Sequence, residues 1–285
     1  MPTVGIVSPG AMGSAVGNAL RAGGARVVAT TAGRSERTVR LAERAGLELL
    51  PTLEDVVREA DVVLSIVPPS EAEPVAAALR DARLFADLNA ISPASARRIS
   101  PEVEGSISGG PPWKAATTRI YLSGPRAAEV AALPFTRVEV VVVGDEAGAA
   151  SAVKMSTASV YKGSAALLAQ ALRAADRYGV LEHVVTDLGS RADKAGRQIA
   201  RAAAKSARYV GEMHEIAAAQ AACGLTPALF EAMAEVYAEI ARSPLAQVPP
   251  EEAAEDLGDV LRALRSAERE LPERLDVREP DPDQA

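Results

Sequence analysis

The chain has 285 residues, enough for two domains of ordinary size. Its composition is 48% hydrophobic but only 3% aromatic, so the predicted cores consist mainly of Ala, Val and Leu. The net charge is −7 and no run of Lys and Arg forms a basic stripe. Nucleic-acid phosphates would therefore be repelled, and no DNA or RNA partner is expected.

The counts of cysteine and histidine argue against several kinds of site. One cysteine, Cys223, and two histidines, His183 and His214, are too few for a disulfide framework or a zinc site. We expect no metal and a reducing, cytoplasmic environment, with Cys223 as a small buried residue. No run of 18 apolar residues is present and no signal-like segment precedes Thr3, so we expect neither a membrane span nor export.

The first half of the chain alternates β-branched runs with helical segments. This pattern predicts a doubly wound, parallel α/β sheet with helices on both faces. The helices have start signals, because Ser35, Thr52, Ser70 and Ser92 each stand where a side-chain oxygen can cap free N–H groups. The predicted strands cover residues 3–7, 26–30, 48–50, 62–67, 84–88, 103–107, 119–122 and 138–143.

The second half of the chain has no strand signals. A helical run over 146–178 would span about 50 Å at ~1.5 Å per residue, so we predict that it joins two domains. The alanine-rich sequence that follows predicts helices to about residue 270, and the charged, proline-bearing end predicts a mobile tail. The predicted domains are a nucleotide-binding domain at 1–145, an all-helical domain at 146–270 and the tail at 271–285.

A glycine-rich turn follows the first predicted strand. It contains Ser8, Pro9, Gly10 and Gly13, and it leads into a helix whose first N–H groups and dipole favour an anion. Compared with the pattern G-x-G-x-x-G, Ser8 occupies the position of the first glycine, and Gly10 and Gly13 match the other two. We interpret the turn as a pyrophosphate site, with a plain strand–turn–helix as the alternative.

The segment after the second strand predicts the choice of cofactor. No acidic residue stands at the end of this strand, where one would accept the ribose hydroxyls of NAD, and the segment contains Gly33, Arg34, Ser35 and Arg37. Two guanidinium groups beside a hydroxyl suit the 2′-phosphate of NADP. The alternative is that both arginines are solvated residues of a first helical turn.

Further candidates stand where later strands end, at the edge where open α/β sheets bind ligands. Val67, Pro68 and Pro69 form a stiff turn that would lie against the cofactor, although a plain strand-ending Pro-Pro is an equal alternative. Asn89 could reach the nicotinamide or the substrate. Ser108, Gly109 and Gly110 form a candidate nest for a substrate carboxylate or carbonyl, and a simple glycine turn is the alternative.

Lys154 is the candidate for proton transfer. It lies among small apolar residues of the long predicted helix, where burial would lower its pKa towards a useful range. A snorkelling or ion-paired lysine is the alternative interpretation. His214, between Glu212 and Glu215, is interpreted as a surface histidine in an ion cluster, with proton shuttling as the alternative.

These motifs resemble the β-hydroxyacid dehydrogenases and their 6-phosphogluconate dehydrogenase-like and imine reductase relatives, over about the first 165 residues. The Ser8–Gly13 turn stands in place of the family's G-L-G-x-M-G, and residues 87–93 in place of D-x-S-T-x-x-P. Ser108-Gly109-Gly110 matches its S-G-G, and Lys154 its lysine. The resemblance implies a Rossmann domain followed by a helical domain.

The resemblance also implies roles. It places the general acid/base on Lys154, substrate binding on Ser108 and Gly109, and the phosphate turn on Gly10, Ala11 and Met12. The family's asparagine four residues after the lysine is here Ala158. The candidates to replace it are Thr157, Tyr161 and Lys162.

The sequence thus predicts an NADP-dependent oxidoreductase that acts on the CH–OH group of a small hydroxy or carbonyl compound with an anionic group. An imine reductase of the same fold and a non-catalytic NADP-binding protein are the alternatives. The alanine-rich helices at 202–224 and 227–240 would expose too much apolar surface in a monomer, so we expect a homodimer.

Overall fold

The computed structural model describes residues 1–100, 102–113, 118–249, 252 and 256–265. The predicted tail at 271–285 lies outside the described residues. Contacts between residues divide the chain into two compact units. Unit 1 contains residues 1–167 and 208–235, and unit 2 contains residues 168–207 and the described residues from 236 onward. The predicted domain boundary at residue 145 stays a prediction.

Unit 1 contains an eight-stranded sheet, and each predicted strand is present. The strand order is β3-β2-β1-β4-β5-β6-β7-β8, as in a doubly wound fold. The strands are β1 (Thr3–Val7), β2 (Arg26–Ala29), β3 (Glu48–Leu49), β4 (Val62–Ser65), β5 (Phe85–Asp87), β6 (Glu104–Ser108), β7 (Thr118–Ser123) and β8 (Val138–Gly144).

Two strands depart from the predicted parallel arrangement. The strands from β1 to β6 are parallel, but β7 runs antiparallel to β6, and β8 is parallel to β7. The segment between Ser108 and Thr118 is shorter than the dozen or more residues that a parallel crossover needs, so the chain returns beside β6 instead.

Twelve α-helices are present in the described part of the chain. The long helix predicted at 146–178 is α7, Ala149–Arg177. The others are α1 (Ala11–Ala22), α2 (Glu36–Ala45), α3 (Leu53–Glu59), α4 (Pro69–Ala78), α5 (Pro93–Ile99), α6 (Ala127–Ala131), α8 (Leu181–Leu188), α9 (Ala195–Ala203), α10 (Ser206–Ala222), α11 (Ala228–Ile240) and α12 (Leu257–Arg265).

The predicted caps are mostly present. The side chains of Ser35, Thr52 and Ser92 accept hydrogen bonds from the N–H groups three residues later, at the starts of α2, α3 and α5. The prediction for Ser70 is wrong, because α4 begins one residue earlier, at Pro69. Proline at the first helical position has no N–H to satisfy, so this helix starts without a side-chain cap.

The core of unit 1 is aliphatic, as the composition predicts. Val4, Ile6, Leu64 and Ala86, from three neighbouring strands, are fully buried in one cluster on one face of the sheet, and Val7, Val28 and Val63 belong to a second cluster. Because β1, β2, β4, β5 and β6 are parallel, the loops after them emerge at one edge. This edge carries the predicted site motifs.

Unit 2 is helical within the described residues. The helices α9 and α12 pack against each other and bury Ile199, Ala203 and Val260. The side chains of Arg173 and Glu239 form a partly buried ion pair of 2.9 Å. In the part of the chain that the structure describes, no helix is both long enough and apolar enough to span a bilayer.

Candidate active site

The turn between β1 and α1 has an open cradle at Gly10. A Cβ atom at Gly10 would meet nothing within 4 Å, whereas one at Gly13 would lie 2.5 Å from the Ser8 carbonyl oxygen. The first turn of α1 has no side-chain cap and no acidic residue. Unclaimed N–H groups beside open space are what a pyrophosphate requires, so the turn fits this group.

Ser8 takes over the backbone role of the missing glycine. Its φ is +62°, in the left-handed region that favours glycine, and the Gly10 N–H donates to its carbonyl oxygen over 2.8 Å. A serine can adopt this conformation at a cost of about 1–2 kcal/mol. The motif is therefore intact in shape although its first glycine is absent.

The loop after β2 presents two arginines to solvent. Gly33 has a φ of +68°, and the Arg34 N–H donates to the Thr31 carbonyl over 3.0 Å, which closes a tight turn before α2. Arg34 and Arg37 are exposed, and within the described residues neither forms an ion pair with a carboxylate. Since β2 is the neighbour of β1, this loop and the glycine turn lie at the same sheet edge.

Asn89 connects the ends of β4 and β5. Its Oδ1 accepts from the Val67 N–H over 2.6 Å, and its Nδ2 donates to Ser65 Oγ over 3.2 Å and to Asp87 Oδ2 over 2.6 Å. The side chain is buried and these bonds use both of its amide protons. Contact of Asn89 with a nicotinamide or a substrate stays a prediction. Pro68 and Pro69 continue from Val67 into the start of α4.

Asp87 is a site residue to which the sequence assigned no role. It is buried at the end of β5, where burial raises its pKa from the usual 3.8 to about 7. Two hydrogen bonds from Asn89, one from its N–H and one from its side chain, oppose this rise, while the charge of Glu104 adds to it. Asp87 and Glu104 are directly paired between β5 and β6, so their carboxyl groups are neighbours in the sheet.

Lys154 lies in the second turn of α7, and its side chain reaches β6. The Nζ atom donates to the Ile107 carbonyl oxygen over 2.7 Å. Burial lowers the pKa of Lys154, and the positive charge of Arg208 lowers it further. Because Ile107 directly precedes Ser108, the predicted proton donor and the predicted substrate loop are brought together.

The predicted substrate loop, Ser108–Gly110, is open to solvent. Gly109 has a φ of +97°, and a Cβ atom at Gly110 would meet nothing within 4 Å. Ser108 is half-buried and both glycines are exposed. The residues that follow at 114–117 lie outside the described residues.

The positions after Lys154 differ in their surroundings. Ala158 is buried, so the missing asparagine is replaced by a packed methyl group. Thr157 is exposed and its hydroxyl donates within its own helix, to the carbonyls of Val153 and Lys154. Tyr161 is 76% exposed. Substrate contacts by Thr157 and Tyr161 stay predictions.

A cluster between α7 and α10 was missed by sequence reasoning. Lys162 forms an ion pair with Glu212, which also pairs with Arg208 over 3.0 Å. The ring of Tyr209 lies beside both cations, with 4.8 Å from its centre to Lys162 Nζ and 5.7 Å to the Arg208 guanidinium carbon. Burial raises the pKa of Tyr209. The periodicity of either helix alone contains no signal for this pairing.

The expectations for His214 and Cys223 have different outcomes. His214 is exposed, as predicted, but the carboxylate of Glu215 accepts from the Ser92 N–H over 2.6 Å, and Glu212 pairs with the two cations above. Cys223 is exposed, so its prediction as a buried residue is wrong. It follows the end of α10, where the chain turns at Gly224.

Among the described residues, no cluster of His, Cys, Asp and Glu could hold a metal ion.

Comparisons with known proteins agree with this architecture. Residues 3–95 match a family model described as NADP oxidoreductase, coenzyme F420-dependent. Residues 175–240 match a domain of unknown function. An uncharacterized 28.5 kDa protein of Methanothermus fervidus is 27% identical over 161 residues, which are 54% of this chain and 63% of that protein.

Solved structures extend the likeness over most of the chain. A conserved protein of unknown function, described as similar to 3-hydroxyacid dehydrogenases, is 29% identical and has a TM-score of 0.66, covering 84% of this chain and 96% of its own. The 3-hydroxyisobutyrate dehydrogenase of Mycobacterium tuberculosis shares the fold, with 23% identity and a TM-score of 0.64 over 93% of this chain and 99% of its own.

Imine reductases share the fold as well. The enzyme of a Pseudomonas species is 16% identical with a TM-score of 0.50, over 92% of this chain and 99% of its own. The sheet and the helical region after it are therefore shared with these solved structures. These matches confirm the resemblance drawn from the sequence: the chain is similar in fold to 3-hydroxyacid dehydrogenases and imine reductases, and its first 95 residues match an NADP oxidoreductase model.

Proposed function

We propose that the protein is an NADP-dependent oxidoreductase that interconverts a small hydroxy acid and its carbonyl form, with Lys154 as general acid/base. The observation that carries this proposal is the partly buried Lys154 ammonium group, 2.7 Å from the Ile107 carbonyl oxygen and one residue from Ser108. A lysine held at a sheet edge, beside an open glycine loop, suits proton transfer to a bound ligand.

The cofactor assignment is supported by the cradle at Gly10 and by the loop after β2. The N–H groups of Ala11 and Met12 would hold the pyrophosphate, and Arg34 and Arg37 would hold a 2′-phosphate. The bound nicotinamide would supply or accept the hydride at the substrate carbon. Val67, Pro68 and Pro69 would form the wall beside it.

Lys154 would move the accompanying proton. As ammonium it donates a proton to the carbonyl oxygen of the substrate, and as neutral amine it accepts the proton of the hydroxyl group. The Ile107 carbonyl fixes the direction of Nζ, and the lowered pKa brings the neutral form closer to physiological pH. The Ser108 hydroxyl and the N–H groups of Gly109 and Gly110 would bind the anionic group of the substrate.

The test is a screen of small aldehydes, keto acids and cyclic imines by NADPH absorbance. We expect turnover of a keto acid or aldehyde, and a fall of about 10²–10⁴-fold in Lys154→Met with the Kd for NADPH unchanged. Lys194→Met, which changes an exposed lysine of unit 2, is the matched control. Reduction should fall and oxidation should rise as pH increases through the Lys154 pKa, which lies below that of an ordinary lysine.

The other outcomes separate the alternatives. Turnover of cyclic imines alone would identify an imine reductase of the same fold. Tight NADPH binding with no turnover of any compound would favour a non-catalytic protein. Unchanged turnover in Lys154→Met would show that another group carries the proton.

A further inference from the structure

Glu104 is a fully buried carboxylate that the proposed function does not use. It begins β6, and its side chain lies beneath the first turn of α7. Charged side chains are almost never fully buried unless every acceptor is used, so its contacts indicate what it does.

Those contacts are with the start of α7. Oε1 accepts from the N–H groups of Gly148 and Ala150, over 2.8 and 2.9 Å. Oε2 accepts from the Ser151 N–H over 3.2 Å and from its hydroxyl over 2.7 Å, and the Ser123 hydroxyl also donates to Glu104. A carboxylate here satisfies N–H groups that have no partner within the helix and complements the helix dipole.

The same strand holds α7 at two further points. The Ser106 hydroxyl donates to the Ala150 carbonyl over 2.8 Å. The Ile107 carbonyl accepts from Lys154 Nζ over 2.7 Å. Three of the five residues of β6 therefore attach the first two turns of α7, and Lys154 is the last point of attachment.

We propose that Glu104 is a positioning residue for Lys154, because it holds the first turn of α7 on β6 so that Nζ lies on the Ile107 carbonyl. A helix turns by about 100° and rises ~1.5 Å per residue, so a small slip of its first turn moves Nζ away from this oxygen. The proposal rests on the proposed function only for the statement that Lys154 is catalytic. The position of Lys154 can be measured without a substrate.

The experiment measures the pKa of Lys154 by competitive acetylation with acetic anhydride, followed by mass spectrometry of the peptides. Lys194, exposed in unit 2, serves as the internal reference. In Glu104→Gln one side-chain oxygen becomes an N–H donor that faces the Ser151 N–H, so the first turn loses its attachment there. We expect the pKa of Lys154 to rise towards the ordinary value, because the side chain leaves its buried position and the charge of Arg208.

The direction of the change distinguishes positioning from simple electrostatics. Loss of the Glu104 charge without movement would lower the pKa of Lys154 or leave it unchanged, since an anion favours the ammonium form only when it lies close to it. A fall, or no change, would therefore overturn the proposal. Ser100→Ala removes another buried hydroxyl of unit 1, one that bonds to Val103 and Asp87 and not to α7, and should leave Lys154 unchanged.

Two milder variants cover the case in which Glu104→Gln does not fold. Ser151→Ala and Ser106→Ala each remove one hydroxyl hydrogen bond between β6 and α7, and each should raise the pKa of Lys154 by less than Glu104→Gln does.

Once a substrate is known, kcat should fall about 10- to 100-fold in Glu104→Gln with the Kd for NADPH unchanged, as a misplacement of about 1 Å predicts. Failure to find a substrate would contradict the proposed function and leave the acetylation result standing.

Discussion

At the scale of single residues, the charges at the sheet edge lie in very different surroundings. Lys154 and Asp87 are held against the protein and have shifted pKa values, whereas Arg34 and Arg37 extend into solvent. Burial and neighbouring charges shift the pKa values of Lys154 and Asp87, whereas the exposed guanidinium groups are open to an anionic ligand. Each kind therefore supports a different prediction.

Arg34 and Arg37 predict a selective loss of NADPH binding. In the double variant Arg34→Gln/Arg37→Gln, the KM for NADPH should rise about 10²- to 10⁴-fold, because two charge-assisted hydrogen bonds are lost and each contributes ~1.5–3 kcal/mol. The KM for NADH should change little. Arg40→Gln on α2, the helix that contains Arg37, is the matched control, since Arg40 is paired with Glu36 over 3.2 Å. Equal effects on both cofactors would contradict the assignment.

Asp87 predicts a pH dependence of stability. Its pKa is about 7 in the folded chain and 3.8 in the unfolded chain, so between these values the folded state holds the extra proton. Its contribution to the free energy of unfolding is fully present below about pH 4 and is lost as pH rises through 7. The loss amounts to about 4 kcal/mol at most.

Urea unfolding of the wild type and Asp87→Asn between pH 4 and 8 measures this contribution. The difference between the two proteins isolates Asp87 from the other carboxyls. The wild type should lose stability relative to the variant as pH rises. A difference that is constant with pH would mean that Asp87 is ionised in the folded chain throughout this range.

At the scale of elements, two helix N-termini at the candidate site differ in what lies beside them. At α1 the space beside the N-terminus is open. At α7 it is filled by Glu104. The N-terminus of α1 suits an external anion, and that of α7 is satisfied by the chain itself.

The two glycines at the start of α1 predict opposite effects. Gly10→Ala should fold normally but weaken NADPH binding by about 10-fold or more, because its methyl group would enter the open cradle. Gly13→Ala should lower the melting temperature, since its Cβ would lie 2.5 Å from the Ser8 carbonyl oxygen. Thermal unfolding and NADPH fluorescence titration on both variants measure the two effects. Normal NADPH affinity in Gly10→Ala would place the pyrophosphate elsewhere.

At the scale of the whole molecule, exposed apolar side chains predict a partner chain. Val160 and Leu167, one heptad apart on α7, are 65% and 63% exposed, and Tyr161 is exposed beside them. Such a stripe on one helix face is costly in water and is typical of an interface. The expected homodimer stays a prediction, and this stripe adds a candidate contact to the alanine-rich helices.

Sedimentation velocity tests the dimer. We expect the wild type to sediment as a dimer and Leu167→Glu to shift towards monomer at micromolar concentration. Val142→Glu, at a 43% exposed position of β8, introduces the same charge on another surface and should remain a dimer. A monomeric wild type would contradict the expectation, and a dimeric Leu167→Glu would exclude this stripe from the interface.

The sequence by itself determined the features that depend on neighbouring residues. The strands, the caps at Ser35, Thr52 and Ser92 and the long helix follow from periodicity and short-range hydrogen bonds. The glycine turn and Lys154 were also recognisable, because their residue types and spacing are local. The error at Ser70 is local too, since two prolines moved the helix start.

Only the tertiary structure decided which distant residues meet. The Ile107 carbonyl next to Lys154, the contacts of Glu104 with α7, and the pairing of Lys162 with Glu212 join residues more than 40 positions apart. The antiparallel direction of β7 and the high pKa of Asp87 likewise depend on packing. Burial and hydrogen bonding between distant elements set these properties, so they cannot be predicted from the order of residues along the chain.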